Sequence, residues 1–444
     1  MGFFSQVFLA TLFAAVGVAQ ATDLPARDQD FGCIERNRAE AYVNDFNINL
    51  NSFGGMELCN ANVDSKKLFN DLQIVEEGQF SGTQRNMFIR DVIPTRNYFG
   101  WLKEQTAGVR RGHDMPTATA YNSGGYFTMQ DGWAKLSTLG RVGTLIHEAR
   151  HTEGYSHTQC TQGPYKGAFM SGCDTSLAQQ GSHGVEMEYY SRVVLQGQNF
   201  HPVYKQMARL MNLGRANFVF NQDPMQQREG LVAQAGEEVV VIDDNGEAQV
   251  AHLPGAEDYR LKRTSFGATF YKDDQALAVD LYSSQSGLLG DEYSYYKLLL
   301  DGRLSGVADM QEVDVNNRRF LVALTKTGKL HGYVYSEGRW SNPVNASDVV
   351  ALVTTAPNGQ EGLFTVNSQG EVHALEPGTL RRGALTSERW ASNVVDFVKW
   401  NNQHLSVDQS GQVLDVASGK AYTPMARWKV QQLVKAPLYN AFEL

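Results

Sequence analysis

The sequence predicts an α+β N-terminal domain followed by an all-β C-terminal domain. Apolar residues at helical spacing dominate up to about residue 220, whereas β-branched residues and turn signals dominate beyond residue 230. A strand–turn–strand pattern then recurs about every 40 residues. Because 444 residues exceed one ordinary core, we expect two domains, with the boundary between residues 222 and 223.

Residues 1–21 have the features of a secretory signal peptide. An apolar run covers residues 7–18, and the small residues Ala19 and Ala21 provide a cleavage site. No Lys or Arg precedes the run, so a membrane anchor is the alternative, although the run is short for about 30 Å of hydrocarbon. We therefore expect a secreted or periplasmic protein without stable membrane insertion after cleavage.

Charge and cysteine content narrow the function classes. The net charge of -9 argues against a nucleic-acid partner, and 42% hydrophobic with 20% charged residues is typical of a globular protein. The four cysteines are an even number that an oxidising compartment would pair. Pairing of Cys33 with Cys59 and of Cys160 with Cys173 is one of three connectivities. The sequence contains no C-x-x-C spacing, so we do not expect a cysteine zinc site.

The N-terminal domain, residues 22–222, is expected to be mainly helical. Helical periodicity covers residues 39–50, 66–77, 98–109, 185–195 and 203–211. Between the third and fourth of these segments, residues 117–121 and 126–129 have a β-like pattern around a glycine turn. Ser137 or Thr138 can cap the helix that follows.

The C-terminal domain, residues 223–444, contains the repeat. Polar turns that end in Gly328, Gly370 and Gly411 lie at intervals of 42 and 41 residues, and each separates two apolar strands. The interval from Gly246 to Gly328 is 82 residues, which leaves room for a degenerate unit around Gly287. A period near 40 is typical of a β-propeller blade, so about five blades fit; a β-sandwich with coincidental hairpins is the alternative.

Two features of these repeats have competing explanations. The segment Asp243-Asp244-Asn245-Gly246 has some character of a calcium loop, but it lacks the twelve-residue pattern and is better explained as a turn. Arg-Trp pairs also recur. They could stack on a ligand, but their regular recurrence favours a place in the blade cores. These pairs are Arg339-Trp340, Arg389-Trp390 and Arg427-Trp428.

Residues 147–157 contain the strongest chemical motif, His-Glu-Ala-Arg-His-Thr-Glu-Gly-Tyr-Ser-His. His147 and His151 are four residues apart, so on a helix they share one face and can reach one metal ion. Gly154 can end the helix and turn the chain, which would bring His157 round as a third ligand. Three ligands leave zinc an open position for water, and Glu148 could accept a proton from that water as general base.

This motif resembles the metzincin metallopeptidases, whose long motif is His-Glu-x-x-His-x-x-Gly-x-x-His. The resemblance covers eleven residues closely. It implies a zincin-like N-terminal domain, a Zn²⁺ cofactor, His147, His151 and His157 as ligands, and Glu148 as the base. The next residue, Thr158, matches no particular subfamily.

The resemblance also implies a methionine turn beneath the metal. Met187-Glu188-Tyr189 matches a form in which the tyrosine assists at the metal, and Met170 is a second candidate. Ordinary helix packing is the alternative for Met187 and Tyr189. In another class of zinc peptidases the third ligand is a later carboxylate, here Glu186 or Glu188, and His157 would then not be a ligand.

Two functions from different classes follow. The first is a secreted zinc endopeptidase that hydrolyses a protein or peptide substrate, with a β domain that recruits or restricts the substrate. The second is an extracellular binding or adhesion protein whose β domain holds a macromolecular ligand and whose zinc domain is inactive or structural. Glu148 favours the first, since a structural site needs no base. We also expect a Cys160–Cys173 disulfide to restrain His157.

Overall fold

The structure is a computed structural model that describes residues 23–438 except 116–117, 163–165, 167–171, 217–218, 223–227, 254, 265–266, 273–274, 279–305, 317, 335–336, 338 and 390–393. The expected signal peptide lies outside the described residues, as do Gly287, Met170 and Trp390. The described chain has a helical N-terminal region and a β-rich C-terminal region. The change from helix to strand falls between Ala216 and Arg228.

Seven α-helices are described in the N-terminal region. They are α1 Arg36–Asp45, α2 Asp64–Glu77, α3 Tyr98–Gln105, α4 Asp131–Ala134, α5 Thr138–Thr152, α6 Ser182–Gln196 and α7 Pro202–Ala216. Short 3-10 helices cover Asp28–Asp30, Leu50–Phe53 and Leu177–Gln179. The helix expected over residues 98–109 is too long, because Thr106 adopts an extended conformation and the chain enters a strand at Gly108.

A small mixed sheet lies between α3 and α5. It consists of β1 Gly108–Arg111, β2 Ala120–Ser123 and β3 Tyr126–Met129, in the order β1-β3-β2. β1 is parallel to β3, and β2 is antiparallel to it across the expected glycine turn, where Gly124 and Gly125 both have positive φ. This turn leaves β2 at the edge of the sheet, against α5.

Helix α5 occupies the centre of the helical region and contacts α2, α3, α6, α7 and β2. Its start is capped by the Ser137 hydroxyl, which accepts a hydrogen bond from Gly140 N at 3.2 Å. Arg141 is fully buried on this helix and is neutralised by two carboxylates, Asp71 of α2 and Asp28 of the N-terminal segment. The buried ion pairs therefore tie α5 to both of its neighbours.

The C-terminal region consists of strands. They are β4 Arg228–Ala235, β5 Glu238–Ile242, β6 Ala248–His252, β7 Arg260–Thr264, β8 Gly267–Lys272, β9 Gln275–Ala278, β10 Val307–Val315, β11 Arg318–Thr325, β12 Lys329–Val334, β13 Arg339–Trp340, β14 Val344–Asn345, β15 Val349–Thr355, β16 Glu361–Asn367, β17 Glu371–Glu376, β18 Arg381–Arg389, β19 Val394–Trp400, β20 Gln403–Asp408, β21 Val413–Asp415 and β22 Gln432–Leu438. Short 3-10 helices lie at Ala256–Asp258 and Thr423–Met425.

These strands form five separate antiparallel sheets among the described residues. The first is β22-β4-β5-β6, so the last described strand completes the sheet of the first. The others follow the chain as β7-β8-β9, β10-β11-β12 with β13 and β14, β15-β16-β17-β18 and β19-β20-β21. One edge strand of each sheet contacts the next sheet, and the contacts β22–β7, β7–β10, β10–β15, β15–β19 and β19–β22 form a closed cycle.

The recurring turns have one chemical basis. Gly246, Gly328, Gly370 and Gly411 all have φ between 72° and 83°, the left-handed region that favours glycine. In three of the four turns, the side chain of the residue that begins the turn accepts hydrogen bonds from the amides two and four residues later. These acceptors are Asp243, Asn367 and Asp408. The Asp243 carboxylate therefore stabilises a turn, as the sequence favours.

In the two Arg-Trp pairs whose tryptophans are described, each tryptophan is half-buried and packs against a hydrophobic core. Trp340 is half-buried at an outer strand and packs beside Tyr333, with ring centroids 5.2 Å apart. Trp428 is half-buried and donates from Nε1 to Glu238 at 3.1 Å.

The four cysteines form two disulfides, with Cα–Cα distances of 4.1 Å for Cys33–Cys59 and 5.2 Å for Cys160–Cys173. This is the local pairing among the three connectivities. Among the described residues, no helix combines the length and apolar character needed to cross a membrane.

Candidate metal centre

The end of helix α5 brings three histidines together. His147 and His151 lie one turn apart, with ring centroids 5.0 Å apart. The helix ends at Thr152, and Gly154 has φ 91°, so the chain reverses where a side chain would be strained. The reversal brings His157 Nε2 to 3.0 Å from His147 Nε2. The three ligand nitrogens all lie within 4.8 Å of one another.

Each of these imidazoles has an oxygen facing its Nδ1 atom. His151 Nδ1 is 2.5 Å from the carbonyl oxygen of Tyr155, His147 Nδ1 is 3.4 Å from Glu186 Oε2, and His157 Nδ1 is 3.3 Å from Asp174 Oδ1. An acceptor at Nδ1 favours the tautomer that has its proton there, which leaves the Nε2 lone pair free for a metal. The acceptors therefore prepare three nitrogens for one ion.

Burial favours the neutral form of all three histidines, which is the form that binds a metal. Burial is the largest effect in each case: it lowers the pKa of His151 and lowers the pKa of His157 to about 4. Burial and the neighbouring His183 also hold the pKa of His147 well below its usual range. Neutral imidazoles that converge in this way suit zinc, which takes His nitrogens at about 2.0 to 2.1 Å in tetrahedral geometry. The donor set thus fits a Zn²⁺ ion with one position left open.

Glu148 lies between His147 and His151 in sequence and is only 4% exposed. Its Oε2 atom is buried and has no hydrogen-bond partner among the described residues. Burial, with a smaller contribution from the Glu186 charge, raises its pKa to about 8. Its backbone oxygen accepts a 2.6 Å hydrogen bond from Asn122 of β2, which joins helix and sheet edge at this residue. An unpartnered buried carboxyl beside a ligand cluster is typical of a functional group.

Neither carboxylate considered as an alternative third ligand takes the place of His157 in the His147–His151 group. Glu188 accepts hydrogen bonds from the Arg90 and Val92 amides and is paired with Arg192. Glu186 does approach His147, but it does so at Nδ1, on the far side of the ring from Nε2. It is also paired with Arg215 and accepts from Tyr190 Oη at 2.9 Å. Glu186 therefore orients a ligand while its charge is already neutralised.

The methionine-turn assignment for Met187 is wrong, because this residue is fully buried inside helix α6 and not in a turn. Tyr189 is on the same helix, and its ring packs against Phe80 and Tyr98 at centroid distances of 5.8 and 4.8 Å. No contact found among the described residues joins its hydroxyl to the histidines. Both residues pack inside the helical core, as the helix-packing alternative expects.

His183 belongs to the cluster, although the sequence analysis did not single it out. It lies in the first turn of α6, with its ring 4.5 Å from that of His147 and stacked on that of His157 at 4.8 Å. Its Nε2 atom is 3.0 Å from the carbonyl oxygen of Gly172, and it forms a second potential ligand group with His147 and Glu186. The sequence signal that could have identified His183 was its spacing of three from Glu186, which places both residues on one helix face.

Comparisons with known proteins were made by sequence and by structure. No protein-family description and no curated protein matches the chain. The computationally designed Ika8 protein is similar at 14% identity and a TM-score of 0.23, over 47% of this chain and 70% of that one. The WD40 β-propeller domain of Doa1 has 11% identity and a TM-score of 0.26, over 45% and 68% of the two chains. The WD40 domain of Neurospora crassa Pan2 has 11% identity and a TM-score of 0.25, over 43% and 64%. TM-scores this low support no conclusion about fold or function.

Proposed function

We propose that the protein is a zinc-dependent endopeptidase. The observation that supports this most is the combination at the end of α5: three imidazoles whose ligand nitrogens lie within 4.8 Å of one another, and a buried carboxyl, Glu148, that lacks a hydrogen-bond partner among the described residues. A structural zinc site needs four closed ligands and no base. Three ligands with an adjacent unpartnered carboxyl are what hydrolysis requires.

Each residue of the cluster has a distinct part in this proposal. His147, His151 and His157 hold the ion, and the oxygens facing their Nδ1 atoms keep the rings in the ligating tautomer. When bound, zinc polarises the scissile carbonyl and activates a water molecule for attack. Glu148 accepts the proton of the attacking water and delivers it to the leaving amine.

The neighbouring sheet edge favours a peptide as the substrate. Strand β2 is an edge strand that pairs only with β3 among the described strands. Asn122 of β2 holds this edge against α5 by donating to Glu148 O at 2.6 Å and to Thr152 Oγ1 at 2.8 Å. An extended peptide could add to the edge by main-chain hydrogen bonds and thereby place a peptide bond beside the histidines.

For the C-terminal region we propose a five-bladed β-propeller. The cycle of sheet contacts supports a ring, and the pairing of β22 with β4 would close it by joining the two ends of the region. Side chains bridge neighbouring sheets: Asp309 accepts from Leu352 N at 2.7 Å and Asp396 accepts from Leu433 N at 2.8 Å. This region would recruit or restrict a macromolecular substrate. The two disulfides support export to an oxidising compartment, secreted or periplasmic.

Metal removal and restoration test the proposal. We expect about one zinc per chain by elemental analysis, and we expect the protein to cleave members of a library of unstructured peptides. A chelator should abolish cleavage, and added Zn²⁺ should restore it, whereas Mg²⁺ should not, because imidazole nitrogens suit zinc and not a hard oxygen-seeking ion. If the protein held one zinc per chain and cleaved nothing across the library, the peptidase proposal would be wrong. The binding or adhesion function would then be the better explanation.

A further inference from the structure

Asp174 lies where three segments of the helical region meet: the segment after His157, residues 219–221, and the start of α6. It directly follows Cys173, whose backbone pairs with Thr158, the residue after His157, through hydrogen bonds of 2.6 and 3.1 Å. Its own backbone is fixed by Val219 O at 2.8 Å and Asn221 N at 3.0 Å. The side chain is only 2% exposed. Its position is therefore determined independently of the histidines.

The two carboxylate oxygens of Asp174 have different partners. Oδ1 is 3.3 Å from His157 Nδ1, and Oδ2 accepts hydrogen bonds from the His183 and Gly184 amides at 3.0 and 3.1 Å. Those amides belong to the first turn of α6, where N–H groups lack partners within the helix. One carboxylate thus caps α6 and faces the third histidine.

The surrounding chain is shaped to admit this carboxylate. A Cβ atom at Gly181 would lie 2.6 Å from Asp174 Cγ and Oδ2, so any larger residue there would displace the carboxylate. The shape of the chain therefore maintains a carboxylate oxygen 3.3 Å from His157 Nδ1.

We propose that Asp174 is the positioning residue for the third metal ligand, and that it couples His157 to the start of α6 and to the Cys160–Cys173 loop. This inference rests on the proposed zinc site. The Asp174 carboxylate lies 3.3 Å from His157 Nδ1, a buried atom with no hydrogen-bond partner among the described residues. It is placed to accept the Nδ1 proton, which would keep Nε2 deprotonated and directed at the ion. Unlike Glu186, which shares its charge with Arg215, Asp174 has histidines as its described ion-pair and electrostatic partners.

Two substitutions separate positioning from a purely structural role. Asp174→Asn keeps one oxygen to cap α6 but presents an amide N–H₂ group to His157 Nδ1, which favours the wrong tautomer. Asp174→Ala removes the cap but imposes no tautomer. We expect Asp174→Asn to weaken zinc binding about 10- to 100-fold, at least as much as Asp174→Ala, although Asp174→Ala should lower the melting temperature of the zinc-free protein more.

The measurements are zinc affinity by competition with a chromogenic chelator and the visible spectrum of the Co²⁺-substituted full-length protein. Asp396→Asn is the matched control, because Asp396 is a half-buried carboxylate that also accepts two backbone amides, those of Phe397 and Leu433. We expect this control to leave affinity and spectrum unchanged, and Asp174→Asn to change both. The inference would be overturned if Asp174→Asn bound zinc within about threefold of the wild-type affinity. It would also be overturned if the losses of zinc affinity in the Asp174 variants only followed their losses of melting temperature. Failure of the wild-type protein to bind zinc would instead refute the proposed function.

Discussion

At the scale of single residues, the convergence of His147, His151 and His157 was predictable, and the oxygens that face their Nδ1 atoms were not. The spacing of His147, His151 and Gly154 is local, so helix geometry and one left-handed turn are enough to bring His157 back. The acceptors Asp174 and Glu186 lie 17 and 39 residues from the histidines they face, counted from the sequence. Their positions depend on how α6 packs against α5, which no local pattern specifies.

Ligand substitutions distinguish His157 from Glu186 as the third ligand. We expect His157→Ala to lower zinc affinity more than Glu186→Gln does. The first removes a nitrogen from the ion, whereas the second keeps all three imidazoles and neutralises the carboxylate that faces His147 Nδ1 and pairs with Arg215. The loss for Glu186→Gln should be about 10- to 100-fold. Chelator competition on both variants checks this. Full affinity in His157→Ala together with lost binding in Glu186→Gln would show that the carboxylate is the ligand.

At the scale of elements, the helices around the candidate site begin and end close to the residues that their sequence patterns predict, because each has an apolar face. α5 begins at the expected cap, and α6 and α7 cover the expected segments with a few more residues at their ends. Met187 and Tyr189 were assigned to the metal through a three-residue match. The periodicity of the whole helix was the stronger physical signal, because burial acts on every apolar residue of α6.

The two disulfides allow a matched test of how the loop after His157 acts. Replacing Cys160 and Cys173 by Ser should lower the free energy of unfolding by about 3 kcal/mol through loop entropy, and replacing Cys33 and Cys59 should cost about as much. Only the first pair should also weaken zinc binding, because Cys173 pairs with Thr158 beside the third ligand. Denaturant unfolding of the zinc-free variants and chelator competition give the two quantities. Equal zinc affinities in the two double variants would contradict this coupling.

At the scale of the whole molecule, the repeat could be recognised from the sequence because each of its turns is specified by neighbouring residues. The Asp or Asn acceptor and the left-handed glycine recur within five residues of each other. The pairing of β22 with β4 joins residues about 200 positions apart, and no sequence pattern indicated it.

The two regions are also less separate than the sequence suggests. One cluster of buried apolar residues contains helical side chains such as Leu210 and Met211 together with Val307, Met310 and Leu321 of β10 and β11. This continuity suggests that neither region is stabilised independently of the other, so the function should be measured on the whole chain.

The central claim is that a zinc site with a glutamate base hydrolyses peptides, and Glu148→Gln tests it most directly. The substitution preserves side-chain shape and all three histidines but removes the proton acceptor. Glu153→Gln is the control at the residue that follows the same helix, because Glu153 is paired with Arg150 and Trp101 and lies outside the ligand cluster. The measurement is the rate of peptide hydrolysis at equal zinc occupancy. We predict a decrease of about 10² to 10⁴-fold or more for Glu148→Gln and no comparable decrease for Glu153→Gln. Equal rates for wild type and Glu148→Gln at full zinc occupancy would contradict the account.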